Sequence, residues 1–177
     1  MLARSRLFTL LVMAGLPLQP VVGVHALEMV PVLPTALAAQ AALKALDTCR
    51  SDGYAVAVTV VNQEGNVIAA LRSERSGSHT LEHSFNKAFT VVSLGRTFGL
   101  ERTSDIAKRF EGGKAPGIGS FPLVASPLKG LSYSTGGLVI KARGVVVGAI
   151  GVSGAPDGNV DQGCAARGLQ LIEHQLR

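Results

Sequence analysis

From Gly136 to Leu171 the chain reads GGLVIKARGVVVGAIGVSGAPDGNVDQGCAARGLQL, and few architectures accept such a run. Leu138–Ile140 and Val145–Val152 are apolar and β-branched, suited to a pleated sheet, with Arg143-Gly144 marking the turn between them. Ser153-Gly154-Ala155-Pro156-Asp157-Gly158-Asn159 then interrupts any regular element. Asn159 is placed to cap the next helix, and Gln162 three residues on completes a capping-box-like pair. Val160, Cys164, Ala165, Gly168, Leu171, Ile172 and Leu176 recur at helical spacing as one apolar stripe. Most early stripe positions are small, so this helix is expected to approach its partner closely. The stretch predicts hairpin, corner and helix, and by itself says nothing of chemistry.

The start of the chain reads differently. Met1–Arg6 carries Arg4 and Arg6 without an acid, Leu7–Val24 is almost continuously apolar, and a small-x-small pattern ends at Ala26. Those are the three parts of a secretory signal, expected over residues 1–26 with cleavage after Ala26. A membrane anchor is the competing reading, but Pro17, Gln19 and Pro20 interrupt the apolar run short of the ~20 residues a stable span needs. The expected location is therefore periplasmic or secreted, and residues 27–177 form a single domain of a length that supports one proper core. Loss of Arg4 and Arg6 lowers the formal charge from +5 to +3. No Lys/Arg run, aromatic interleaving or basic helical stripe accompanies that charge, so nucleic-acid binding is unsupported; a weak attraction for anions is all it licenses.

After a Pro-containing lead-in, Thr35 is placed to cap a helix running to about Ser51, with Ala38, Ala42, Ala45, Leu46 and Cys49 on one face. Gly53 stops it. Tyr54–Val61 reads as a strand, Asn62–Asn66 as a turn, and Val67–Leu71 as the hairpin partner. A second long helix is expected over about His79–Leu94, with Leu81, Phe85, Ala88, Phe89 and Val92 as its buried stripe and Glu82, Asn86, Lys87 and Thr90 on the opposite face. The pattern resets near Gly99, and Thr103 or Ser104 starts a short helix to Phe110. Glu111–Phe121 is a Gly/Pro segment without periodicity, and Pro122–Ser134 holds one further short strand. The predicted class is α+β: an antiparallel sheet of about five strands flanked by helices.

The long C-terminal motif also resembles a known family. Gly136-Gly137, the run Gly148-Ala149-Ile150-Gly151-Val152-Ser153-Gly154, Asp161, and Cys164-Ala165 with Gly168 are similar to the signature of GlcG/HbpS-type haem-binding proteins. Asn86-Lys87-Ala88-Phe89-Thr90 resembles the Lys-Ala-aromatic-Thr element of the same family. The resemblance runs from about Thr35 to Ile172. It implies a profilin-like sandwich, assembly into a homo-oligomer, and haem or a related tetrapyrrole as the small-molecule ligand and cofactor.

Within that frame the candidate site residues are His79, His83, Lys87, Thr90, Gly136 and Gly137. His79 and His83 stand four apart and project from one helical face, a spacing suited to a transition metal or a haem iron; two solvated surface histidines are the plainer reading. Lys87 and Thr90 are placed to meet a carboxylate such as a propionate, or Lys87 merely solvates the helix. Gly136-Gly137 and Ser153-Gly154 bound the same hairpin and are expected to line the pocket. Cys49 and Cys164 are the only cysteines; in an exported chain they form a bridge between first and last helices or remain two buried thiols.

Other chemistries find no support. Glu82 precedes His83 instead of following His79, so the zinc-protease pattern is absent. Gly148, Gly151 and Gly154 do not fit a dinucleotide fingerprint, Gly112-Gly113-Lys114 is no Walker loop, and Ser153 lacks a nucleophile elbow. Asp157 and Asp161 at the last helix's start read as capping acids. No catalytic residue is singled out. The expected function is haem binding, storage or sensing between subunits, with His79 or His83 on the iron. An enzyme acting on haem or a small hydroxy acid, and an oligomeric interaction module, are the alternatives.

Overall fold

Alanine spacing sets the first element. Thr35–Ser51 forms α1, whose Ala38, Ala41, Ala42, Ala45 and Cys49 are fully buried on one side. Thr35 does not cap it: the helix already includes Thr35, and Pro34 precedes it, its carbonyl accepting from Leu37 and Ala38. The computed structural model describes residues 29–110 and 130–177. The segment 1–26 expected to be a secretory signal and the Gly/Pro segment 111–121 lie outside the described residues, as does all but the end of the stretch expected to hold a fifth strand.

The strands are β1 (Ala57–Asn62), β2 (Val67–Arg72), β3 (Gly137–Ala142) and β4 (Val145–Ser153), in the order β2-β1-β4-β3 with every pair antiparallel. The sheet thus has four strands among the described residues, and 130–136 adds none. Arg143 and Gly144 both take positive φ, 50° and 81°, the backbone a two-residue hairpin turn needs. At the β1–β2 turn Asn62 Oδ1 accepts from the backbone N–H groups of Glu64 and Asn66.

Alternation along β1 and β4 sends side chains to both faces. Val58, Val60, Ile150 and Val152 pack under α1 and the last helix, α5 (Gly158–Ile172). Val61 and Ala149 face α2 (Thr80–Thr90), which widens into a π-helical turn at Val91–Gly95 and ends in α3 (Arg96–Phe98) and the left-handed Gly99. Then α4 (Thr103–Phe110) adds Ile106 and Phe110 to that second core. The result is an α+β sandwich with the sheet between two helical layers. Among the described residues no helix is long and apolar enough to cross a membrane.

The small stripe of α5 does what small residues permit. A Cβ on Gly168 would stand 2.4 Å from the Ala41 carbonyl oxygen, so α1 and α5 are in backbone contact. Across that contact Cys49 and Cys164 form a disulfide, with Cα atoms 5.6 Å apart, which decides between the two readings of the cysteines. The cap of α5 is Asp157, not Asn159. Its extended backbone turns the carboxylate onto the Asn159 N–H at 2.8 Å, which puts Asn159 inside the first turn.

Candidate ligand-binding cleft

Glycine at the centre of β4 decides which face of α2 is buried. A Cβ on Gly151 would lie 2.1 Å from the Ser84 carbonyl oxygen and 2.7 Å from the Ala88 nitrogen, so the helix backbone rests on the sheet. Only small or slender side chains fit such a contact, and the buried positions are Thr80, Ser84, Lys87, Ala88 and Thr90. Phe85 and Phe89 are pushed to the flank, where Phe89 covers Gly65 and Gly130, while Leu81 is 39% exposed. The aromatic stripe expected to face the core is therefore displaced. Lys87, expected to point outward, is inside.

Burial of Lys87 is matched by an acid from the other helical layer. Its ammonium donates to Asp161 Oδ2 and to the Val152 carbonyl, each at 2.8 Å, and Asp161 Oδ1 accepts from the Ala155 N–H at 3.1 Å. The two side chains are 2% and 3% exposed. Desolvation pushes the Lys87 amine below its ordinary pKa against the pull of Asp161, and pushes the Asp161 carboxyl up against Lys87 and the backbone donors. Gly136 and Gly137 close over this pair. At Gly136, φ is +135° and a Cβ would sit 2.8 Å from Lys87 Nζ; at Gly137 it would sit 2.5 Å from the Lys87 carbonyl oxygen. The Gly137 N–H donates to Thr103 Oγ1. Gly136 has no room for a side chain because the buried pair and the Val152 carbonyl fill the space, and Gly137 has none because the α2 backbone at Lys87 and the Thr103 methyl do.

Beside this pair lies a cleft of about 420 Å³, between the start of α2 and the corner after β4. His83 forms part of its inner wall, with Nδ1 3.0 Å from Ser153 Oγ and Nε2 2.9 Å from Ser132 Oγ. Burial, then the charge of Lys87, then His79 hold the His83 pKa below its ordinary value, which favours neutral imidazole. His79 also lines the cleft, but from an exposed position and without a side-chain hydrogen bond among the described residues. Thr80, Ser134 and Thr135 contribute hydroxyl-bearing walls, and Gly158 brings the start of α5 to the rim. The volume falls within the ~300–1,000 Å³ of small-molecule sites.

A family model for haem-degrading HbpS-like proteins matches residues 33–170. The chain belongs to the HbpS-like family. Its fold is similar to the crystal structure of HbpS, at 32% identity and a TM-score of 0.70 over 82% of this chain and 94% of that one. A doubly substituted HbpS from Streptomyces reticuli is similar at 30% identity and a TM-score of 0.71, over 88% and 99% of the two chains. The crystallised PduOC–haem complex shares the fold, at 18% identity and a TM-score of 0.66 over 79% and 94%. No curated protein matches by sequence.

The expected site residues divide by placement. His79, His83 and Lys87 line the cleft; Gly136 and Gly137 roof the buried pair behind it. Thr90 is fully buried, donating to the Asn86 carbonyl and accepting the Ser132 N–H at 2.7 Å. Sequence reasoning missed Ser132 and Ser153 as partners of His83. It also read Asp161 as a capping acid, although its partner sits 74 positions away. No group of three or more His, Cys, Asp or Glu is placed to hold a metal among the described residues, so the two imidazoles stand without a third protein ligand.

Proposed function

We propose that the chain is an exported, homo-oligomeric protein that binds haem or a related tetrapyrrole for storage or sensing, with the cleft beside α2 as its site. The observation that carries this reading is an exposed imidazole, His79, at the mouth of a cleft in a chain of the HbpS-like family. The haem bound in the similar PduOC structure supports the ligand class. The donor set fits the group: imidazole suits iron, and the hydroxyls of Ser134 and Thr135 suit carboxylates, whereas that of Thr80 is given to the Gly77 carbonyl. Bound haem would supply iron-centred redox chemistry. His79 is the residue to hold the iron, because His83 reaches it only by giving up a hydrogen bond.

Lys87 serves the site indirectly. Its charge is already committed to Asp161, so the pair stiffens the floor, while burial first and the Lys87 charge second favour neutral His83. Among the cleft's lining residues Ala155 is the largest apolar side chain, so the apolar cover for a macrocycle comes from outside the cleft. We assign it to a second copy of the chain. Export is supported by the buried disulfide, which belongs to oxidising compartments.

Haemin titration of the purified mature chain tests the proposal, with a shifted Soret band expected; no shift at any ratio would remove haem. The polar lining favours one other reading, a small hydroxy acid in the same cleft, with or without turnover. Calorimetry with glycolate and lactate separates the two, since that reading requires heat of binding without haemin.

A further inference from the structure

His83 faces the cleft, yet both of its ring nitrogens are engaged. Nδ1 meets Ser153, which is 3% exposed and whose backbone is fixed in strand β4. Nε2 meets Ser132, which lies in the irregular stretch 130–136. That stretch is clipped to α2 at two points: Ser132 Oγ on His83, and the Ser132 N–H on Thr90 Oγ1 at 2.7 Å. The Ser134 N–H also donates to Ser132 Oγ, at 3.2 Å, which orients the hydroxyl.

A neutral imidazole has one donor nitrogen and one acceptor nitrogen, each serving one strong partner. With Nδ1 held by the sheet, Nε2 is the exchangeable position. We propose that Ser132 is a latch on His83: while its hydroxyl occupies Nε2, His83 is closed to any ligand in the cleft, and capture through that nitrogen displaces the hydroxyl while the Ser132 N–H stays on Thr90. The inference rests on the cleft being a ligand site and names the residue that controls access to its inner imidazole. It also gives buried Thr90 a purpose, as the fixed end of the latch. In the latched form His79 alone is available, so binding through both imidazoles proceeds in two stages.

The test needs no haem in its first arm. Diethyl pyrocarbonate carbethoxylates free imidazole nitrogen, and peptide mass mapping follows His79 and His83 separately in one sample. A neutral hydrogen bond spans about a 2- to 13-fold equilibrium factor. Ser132→Ala is therefore expected to raise the His83 rate by about that factor and leave His79 unchanged, whereas Ser132→Thr, which keeps the hydroxyl, behaves as the parent. Thr90→Val removes the backbone anchor with both serines in place and is expected to move the His83 rate the same way. An unchanged His83 rate in folded Ser132→Ala or Thr90→Val overturns the latch.

The second arm is haemin affinity. Ser132→Ala is expected to bind more tightly by the same factor, an unusual direction for deleting a polar group near a site. Equal or weaker affinity alongside a raised His83 rate overturns the exchange. If haemin binds none of the variants, the haem reading fails, while the modification rates still decide the latch.

Discussion

Asp161→Asn is the substitution that asks most of the buried pair. It is nearly isosteric and keeps one acceptor, but that oxygen cannot serve both Lys87 and the Ala155 N–H, which Asp161 satisfies with separate oxygens. Lys87 would retain the Val152 carbonyl and no countercharge, at a site where its side chain is 2% exposed. Removing one partner of a buried pair costs about 3–5 kcal/mol, a large part of the ~5–15 kcal/mol that holds a domain together. At about 2–4 °C per kcal/mol for a domain of this size, the melting temperature should fall by roughly 6–20 °C. Urea unfolding followed by far-UV circular dichroism suits a chain without tryptophan. Lys87→Met alone should be comparably damaging, and Lys87→Met with Asp161→Leu should recover most of the loss, giving a large coupling in the double-mutant cycle. A cost under about 1 kcal/mol for Asp161→Asn, or additive singles, would refute the view that the pair stiffens the cleft floor.

Three further outcomes follow from the same geometry. Replacing Cys49 and Cys164 together by serine should lower stability by about 5 kcal/mol, the loop-closure value for a separation of 115 residues, measured by urea unfolding against the oxidised parent. Two glycines of α5 should respond with opposite sign: Gly163→Ala, where a Cβ meets nothing, gains about 0.5–1 kcal/mol, while Gly168→Ala drives a methyl into the Ala41 carbonyl and costs about 1–3 kcal/mol. His83, depressed below the ordinary imidazole pKa of 6.5, contributes stability that is complete above 6.5 and is lost as pH falls towards its folded value. The parent should therefore lose stability through this group as pH falls below 6.5, with a slope bounded by the one-proton limit of about 1.4 kcal/mol per pH unit, and that slope should be absent from His83→Gln.

Local signals carried far in this chain, and the misreadings have one cause. The α1 stripe, both hairpins and the close approach of α5 were legible because they depend on neighbours in sequence: alanine spacing, the Arg143-Gly144 turn, and small residues such as Gly168. The face of α2 was not. Hydrophobic periodicity points Phe85 and Phe89 inward, but Gly151, far along the chain, brings the sheet so close that only Ser84 and Ala88 fit beneath the helix. A buried lysine is likewise invisible until its acid is known, and Asp161 looks like an ordinary first-turn residue of its helix. Ser132 carries no motif and Ser153 belongs to the glycine motif without any mark of its partner, so only folding reveals that they bracket His83. The glycine motif was legible as a family mark, while its cause, the roof over Lys87, appears only in three dimensions.

We propose that the cleft beside α2 binds haem through His79. Haemin titrated into the parent, His79→Ala, His83→Ala and the double variant, read at the Soret band, tests it most directly. A clear shift is expected for the parent, severe weakening in His79→Ala, a smaller loss in His83→Ala, and none of the specific shift in the double variant. An unchanged Soret shift and affinity in the double variant would contradict it.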